Sequence, residues 1–223
     1  PSNNGLQFVV PTEFVDLPTK GRFYPAGHPL HLKEEIEIKL MTAKEEDMLV
    51  NKSLLKKGVA LDRMLQSLIT TPGVRVDNLC VGDKNALIIA SRISAYGSEY
   101  NAKVKCPSCG ATCDFSFDLE DSIMNTPDTI NLADAEATIS ERGTFVFNLP
   151  KTKAVVEARL LTGADEKRLL QASKKNKNEF TITEQFNAFI VSINGVEDRN
   201  LIKQYIDVLP AYDSKYLRNC SEC

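Results

Sequence analysis

The chain has 223 residues, 43% of them hydrophobic and 26% charged, which is enough apolar material for a real core and excludes a wholly disordered chain. Its formal net charge of −3 lacks the basic excess of a dedicated nucleic-acid binder. No apolar run reaches the roughly eighteen residues of a membrane span, so no membrane partner is expected. The opening Pro-Ser-Asn-Asn-Gly has neither the basic start nor the apolar stretch of a secretory signal, so the expectation is assembly in a cytoplasm.

Residues 1–33 are punctuated by Pro11, Pro18, Gly21, Pro25, Gly27 and Pro29, which predicts an extended, proline-rich arm. Its apolar residues, among them Phe14, Leu17, Phe23 and Tyr24, need a surface to lie on, either this chain's or a neighbour's. Residues 34–98 read as mainly helical. Glu35-Ile36-Glu37-Ile38-Lys39-Leu40 alternates as a half-buried strand does. Thr42 and Glu45 then fit a capping box opening a helix from about Ala43 to Leu49. Leu61, Leu65 and Leu68, widened by Ile69, mark another helix, and Asp83 caps a third that buries Ala86, Leu87, Ala90 and Ile93. The three are expected to pack as a bundle.

Residues 99–120 change character. Two short strands, Tyr100–Lys105 and Thr112–Leu119, flank Cys106-Pro107-Ser108-Cys109-Gly110. Residues 121–142 show no period. In the last segment, to residue 223, Phe145–Phe147 and Val155–Leu161 suggest a strand pair, and Asp165 caps a helix running into Lys174-Lys175-Asn176-Lys177-Asn178. Thr183 opens a helix with Phe186, Phe189, Ile190 and Ile193 on one face, broken by Asn194-Gly195. A final helix carries Leu201 to Leu209 and stops at Pro210. The class is α+β: a helical N-terminal bundle plus short antiparallel strands, with a zinc-ribbon-like four-cysteine site.

That site rests on two C-x-x-C pairs among six cysteines. A tight turn presents both sulfurs of such a pair to one ion, and two pairs complete a tetrahedral, closed Zn2+ shell of the structural kind. The expected ligands are Cys106, Cys109, Cys220 and Cys223, with the C-terminal helices returning to the central hairpin across a loop whose closure cost grows only logarithmically. Cys113 completing the first pair, a redox use of Cys106/Cys109 and plain reduced thiols are the alternatives; Cys80 reads as a small buried apolar residue.

No catalytic set stands against this. The two histidines, His28 and His31, sit in the arm, and there is no phosphate-binding glycine loop, nucleophile elbow or H-E-x-x-H. The expectation is a non-enzyme without a small-molecule substrate. Lys56-Lys57 and Lys174-Lys175-x-Lys177 are short, solvated runs.

Several blocks carry a family resemblance: Phe14-Val15-Asp16-Leu17-Pro18-Thr19-Lys20-Gly21-Arg22-Phe23-Tyr24-Pro25, Met41-Thr42-Ala43-Lys44-Glu45-Glu46-Asp47 and Ser53-Leu54-Leu55-Lys56-Lys57-Gly58. Val81 to Ala86, Tyr96 to Tyr100 and the first cysteine pair continue it. Leu209-Pro210, Asp213 to Arg218 and the last cysteine pair match more loosely. Over most of residues 14–119 the chain resembles baseplate hub proteins of T-even-like contractile-tailed bacteriophages. The resemblance implies a structural component or assembly factor of the tail baseplate, residing in the virion and contacting other baseplate and tail proteins. It also implies a glycine and a short apolar tail after the second pair, where this sequence ends at Cys223. A zinc-ribbon nucleic-acid-binding module is the competing reading; it calls for a basic stripe.

Overall fold

The computed structural model describes residues 9–122, 126–128, 137–175 and 181–222. They form two compact units that interleave along the chain. The first is drawn from residues up to Asp16, Glu35–Gly73 and the stretch from Asn85 through the cysteine hairpin; the second from Leu17–Glu34, Val74–Lys84 and the C-terminal part.

In the first unit, the alternating segment forms β2 (Glu35–Lys39), with Ile36 and Ile38 buried, and β1 (Thr12–Asp16) pairs with it antiparallel, Val15 opposite Ile36. The capping box forms as expected at α1 (Ala43–Val50): the Thr42 N–H donates to Glu45 Oε2 at 3.1 Å. Burial raises the Glu45 carboxyl pKa, but hydrogen bonds from Thr42 and Ser67 outweigh it and leave the pKa below its ordinary value. A short α2 (Lys52–Lys57) follows, capped by the Asn51 side chain and ended by Gly58 at φ 67°.

In α3 (Ala60–Leu68) the buried face is Ala60, Met64, Leu65 and Leu68, while Leu61 is exposed. The expected stripe is thus turned by about one position, with the 60–64–68 row facing inward. Ile69 lies outside the helix; its extended backbone bridges Ile38 of β2. The helical bundle is α1, α2 and α3. α4 (Val81–Tyr96) starts two residues earlier than its proposed cap, so Asp83 lies inside the first turn, where it takes a different job described below. Beyond it come β3 (Glu99–Lys105) and β4 (Thr112–Asp118), an antiparallel hairpin.

The second unit is built on a four-stranded antiparallel sheet in the order β5 (Thr138–Ile139), β6 (Phe145–Asn148), β7 (Val155–Ala158), β8 (Ile190–Ile193). The β6–β7 pair matches the expected strands. β8 corrects the sequence reading, which placed Ile190 and Ile193 on a helix. α6 (Ile182–Phe189) stops at Phe189, and the β-branched run Ile-Val-Ser-Ile pairs with β7. The cap is Thr181, in a box with Glu184, two residues before the expected Thr183.

α5 (Gly163–Lys175) holds Asp165 in its first turn; its carboxylate accepts from the Thr162 N–H at 3.0 Å, so Asp165 reaches back to the helix start and is not itself the cap. The rest of the polar run after Lys175 lies outside the described residues. α7 (Arg199–Asp207) is capped by Asp198, and α8 (Ala211–Glu222) begins directly after Pro210. That proline ends one helix and stands at the threshold of the next, where a fixed φ and a missing N–H cost nothing. Phe147, Leu149 and Val156 of the sheet region share one core with Phe186, Phe189, Ile202, Ile206 and Leu217 of the helices. Buried Asp213 in the first turn of α8 accepts from the Lys151 and Thr152 N–H groups at 2.7 and 2.9 Å, which fixes the β6–β7 turn.

Candidate assembly surface and cysteine knuckle

The β3–β4 hairpin carries the clearest chemistry. Its register sets Tyr100 opposite Phe117, Ala102 opposite Phe115 and Val104 opposite Cys113. Side chains alternate across a strand, so these six residues line one face. Glu99, Asn101, Lys103, Lys105, Thr112, Asp114, Ser116 and Asp118 line the other. The apolar face is open: Tyr100, Val104, Phe115 and Phe117 are 41%, 45%, 55% and 39% exposed. Its rings touch, with centroids 5.3 Å apart for Tyr100–Phe117 and 5.6 Å for Phe115–Phe117, and Arg92 stacks over Tyr100 at 5.9 Å. An aromatic face this open on a two-stranded ribbon is the candidate docking surface of the described residues.

At the hairpin tip the Cys106 N–H donates to Ala111 O at 2.8 Å and the Gly110 N–H to Cys106 O at 2.9 Å, with Gly110 at φ 72°. The turn aims the Cys109 and Ser108 amides and the Cys109 thiol at the Cys106 sulfur, which lowers the Cys106 pKa. Cys106 and Cys109 thus share one tight turn, the C-x-x-C arrangement that can offer two sulfurs to a single ion. Cys109 and Cys113 are exposed, and the Cys113 thiol points to Val104 O at 3.5 Å. Cys220 lies in α8 and not on a second strand-turn; Cys223 lies outside the described residues. Among the described residues, no three His, Cys, Asp or Glu side chains come together as a metal group. Cys80 is buried, and burial together with the Asp83 carboxylate pushes its thiol up to about 12, an inert position.

From Leu17 onward the arm belongs to the second unit and is held within it. Leu17, Tyr24 and Leu30 are buried, Phe23 is half-buried and stacks on Phe145 at 5.0 Å, and Phe14, in β1, is 64% exposed. The clasp is Asp83, fully buried, whose oxygens accept from the Thr19 N–H at 3.0 Å, the Thr19 hydroxyl at 2.6 Å and the Tyr24 hydroxyl at 2.6 Å. The Tyr24 oxygen in turn accepts the Cys80 N–H at 3.1 Å. Burial raises both the Asp83 and the Tyr24 pKa. Two glycines make room: a Cβ on Gly21, at φ 66°, would stand 2.3 Å from Leu30 O, and one on Gly143 2.7 Å from Arg22 O. Nothing in the sequence points to this clasp except the aspartate beside a helix start.

His28 stacks on Tyr24 at 4.5 Å and accepts the Leu30 N–H at Nδ1, and His31 Nδ1 lies 2.7 Å from Tyr24 O. Burial lowers the His28 pKa. Both rings pack the arm and face no nucleophile in these contacts. No helix among the described residues is long and apolar enough to cross a membrane.

The family model described as T4 bacteriophage base plate protein matches residues 12–140, more than half of the chain. The chain belongs to that family. Neither a curated protein nor a solved structure matches it. The matched stretch of this base plate protein takes in β1, β2, α1 to α4, the Thr19–Tyr24–Asp83 clasp and the whole β3–β4 hairpin with Cys106 and Cys109. It ends before α5 to α8, and so before Cys220. The resemblance read from residues 14–119 lies within the same span.

Proposed function

We propose that this base plate protein is a non-catalytic structural component, or assembly factor, of the hub region of the phage tail baseplate, contacting other baseplate and tail proteins within the virion. The observation that carries this reading is the open aromatic face of the β3–β4 hairpin. Its occupant is an apolar surface on a neighbouring baseplate protein, with the Lys and Asp residues of the opposite face left to water. A nucleic-acid partner fits this surface poorly, because Lys103 and Lys105 share the polar face with Asp114 and Asp118.

The same reading assigns a structural Zn2+ to Cys106, Cys109, Cys220 and Cys223. Support comes from the two C-x-x-C pairs and from the tight turn that carries Cys106 and Cys109; the ion would supply rigidity and no chemistry. The test of the surface is a Phe115→Asp, Phe117→Asp double variant supplied during infection. Both side chains are exposed, so the chain should fold and accumulate, while baseplates lacking it fail to mature. Normal baseplates carrying the variant would refute the docking role. Recovery of the wild type on DNA and not in tails or tail intermediates would favour the nucleic-acid module.

A further inference from the structure

The hairpin also has an edge. β3 and β4 form a two-stranded sheet, so β3 leaves one row of backbone groups without a strand partner among the described residues. The inward row is fixed at both ends: the Leu119 N–H donates to Ser98 O at 2.9 Å and the Cys106 N–H to Ala111 O at 2.8 Å. Backbone groups alternate in direction along a strand, so Tyr100, Ala102 and Val104 face β4, and Glu99, Asn101, Lys103 and Lys105 turn outward. Of these, the Glu99 carbonyl is approached by Arg92 Nη2 at 3.5 Å, at the very start of the strand.

We propose that this edge pairs antiparallel with the same edge of a second copy of the chain, Ala102 opposite Ala102. Two constraints fix the register. Outward groups must meet outward groups, so odd-numbered residues oppose odd-numbered ones, and full overlap of the seven residues of β3 then centres the pair on Ala102. In that register Glu99 of each copy faces Lys105 of the other, twice over, and Asn101 faces Lys103. The contact is isologous, as a two-fold axis demands.

Lysines on an edge strand ordinarily repel other strands. Here the glutamate at the opposite end converts that guard into a selector for one partner and one register. The β4 edge offers no such match: self-pairing there sets Thr112 against Asp118 and Asp114 against Ser116, with acids and no bases. Pairing through β3 also keeps both aromatic faces on the same side, so the second copy's Val104 stands beside Tyr100. The inference is independent of the hub reading and of the zinc ligands.

The experiment is sedimentation equilibrium of the reduced full chain, taken to about 500 μM because an interface of two short strands is a weak one. A monomer–dimer equilibrium is expected. Lys103→Pro removes an outward N–H that no strand uses, so the hairpin should survive and the dimer should vanish. Lys105→Glu sets acid against acid at both ends and should weaken the dimer about tenfold, whereas adding Glu99→Lys should return it to within about threefold of wild type. A monomer at every concentration overturns the proposal, as does a dimer indifferent to Lys103→Pro. Should Lys103→Pro lose its native circular dichroism, the charge pair decides: no recovery in the double reversal overturns the edge contact.

Discussion

Asp165→Asn tests what the buried carboxylate cluster of the second unit contributes to stability. The Asp165 side chain is 1% exposed and accepts from Arg159 at 2.7 Å, Arg168 at 2.6 Å and the Thr162 N–H and hydroxyl at 3.0 and 2.8 Å. Burial pushes its carboxyl up, but the Arg159 and Thr162 hydrogen bonds outweigh that and bring it from 3.8 to about 2. The difference, 3.8 − 2 = 1.8 pH units, corresponds to about 2 kcal/mol of stability from the ionised form. The folded pKa lies below the unfolded one, so this stability is complete above about pH 5 and is lost as pH falls through 3.8 toward 2, about half of it by pH 3. Asn keeps the shape and removes the charge. Urea unfolding should therefore show the variant weaker than wild type by about 2 kcal/mol at pH 7 and by about 1 kcal/mol at pH 3. An equal deficit at both pH values would show that packing, and not the charge, carries the effect; no deficit at pH 7 would refute the cluster's role altogether.

Other consequences are as direct. Phe186→Ala empties a fully buried ring position in the α6–sheet core and should cost about 3–5 kcal/mol in the same unfolding assay, with Leu201→Ala, at an exposed site, as the near-neutral control. Tyr24→Phe strands the Cys80 N–H and removes one donor from Asp83, so it should lose about 1–3 kcal/mol and speed protease cleavage between residues 18 and 32. Elemental analysis of freshly reduced protein should find about one zinc per chain, lost in a Cys106→Ser, Cys109→Ser variant. A full zinc load in that variant would move the site elsewhere, and none in the wild type would end the zinc reading.

Much of the chain can be read from its residues because local rules and packing agree there. The alternation of Glu35–Lys39, the Thr42–Glu45 box and the strand-turn-strand around Cys106 each specify one local answer, and the structure has them. The misreadings fall where two rules compete. Phe186, Phe189, Ile190 and Ile193 satisfy a helical period, but β7 offers Ile190–Ile193 a hydrogen-bonding edge, and tertiary pairing overrides the periodicity. Pro210 is a stop signal and an opening signal at once, so α8 is hidden behind it. Leu61 and Met64 are both apolar; which of them is buried is set by how α3 packs in its unit, and that selects Met64. Asp83 and Asp165 resemble caps because each is an acid near a helix start. Their partners, Thr19 and Tyr24 for one and Arg159 for the other, are long-range or side-chain contacts that a local pattern does not encode. The aromatic face is readable from alternation in Tyr100–Lys105, but its exposure is not.

Cross-linking mass spectrometry of purified, intact tails tests whether this chain joins the baseplate through its β3–β4 hairpin. Lys103 and Lys105 lie exposed on the opposite face of the same strand, where an amine-reactive linker can modify them. Stoichiometric recovery of the chain in tails is expected, with cross-links from these two lysines to another baseplate protein. Tails that lack the chain, or that contain it with the hairpin lysines linked to no neighbouring protein, would refute docking through the hairpin.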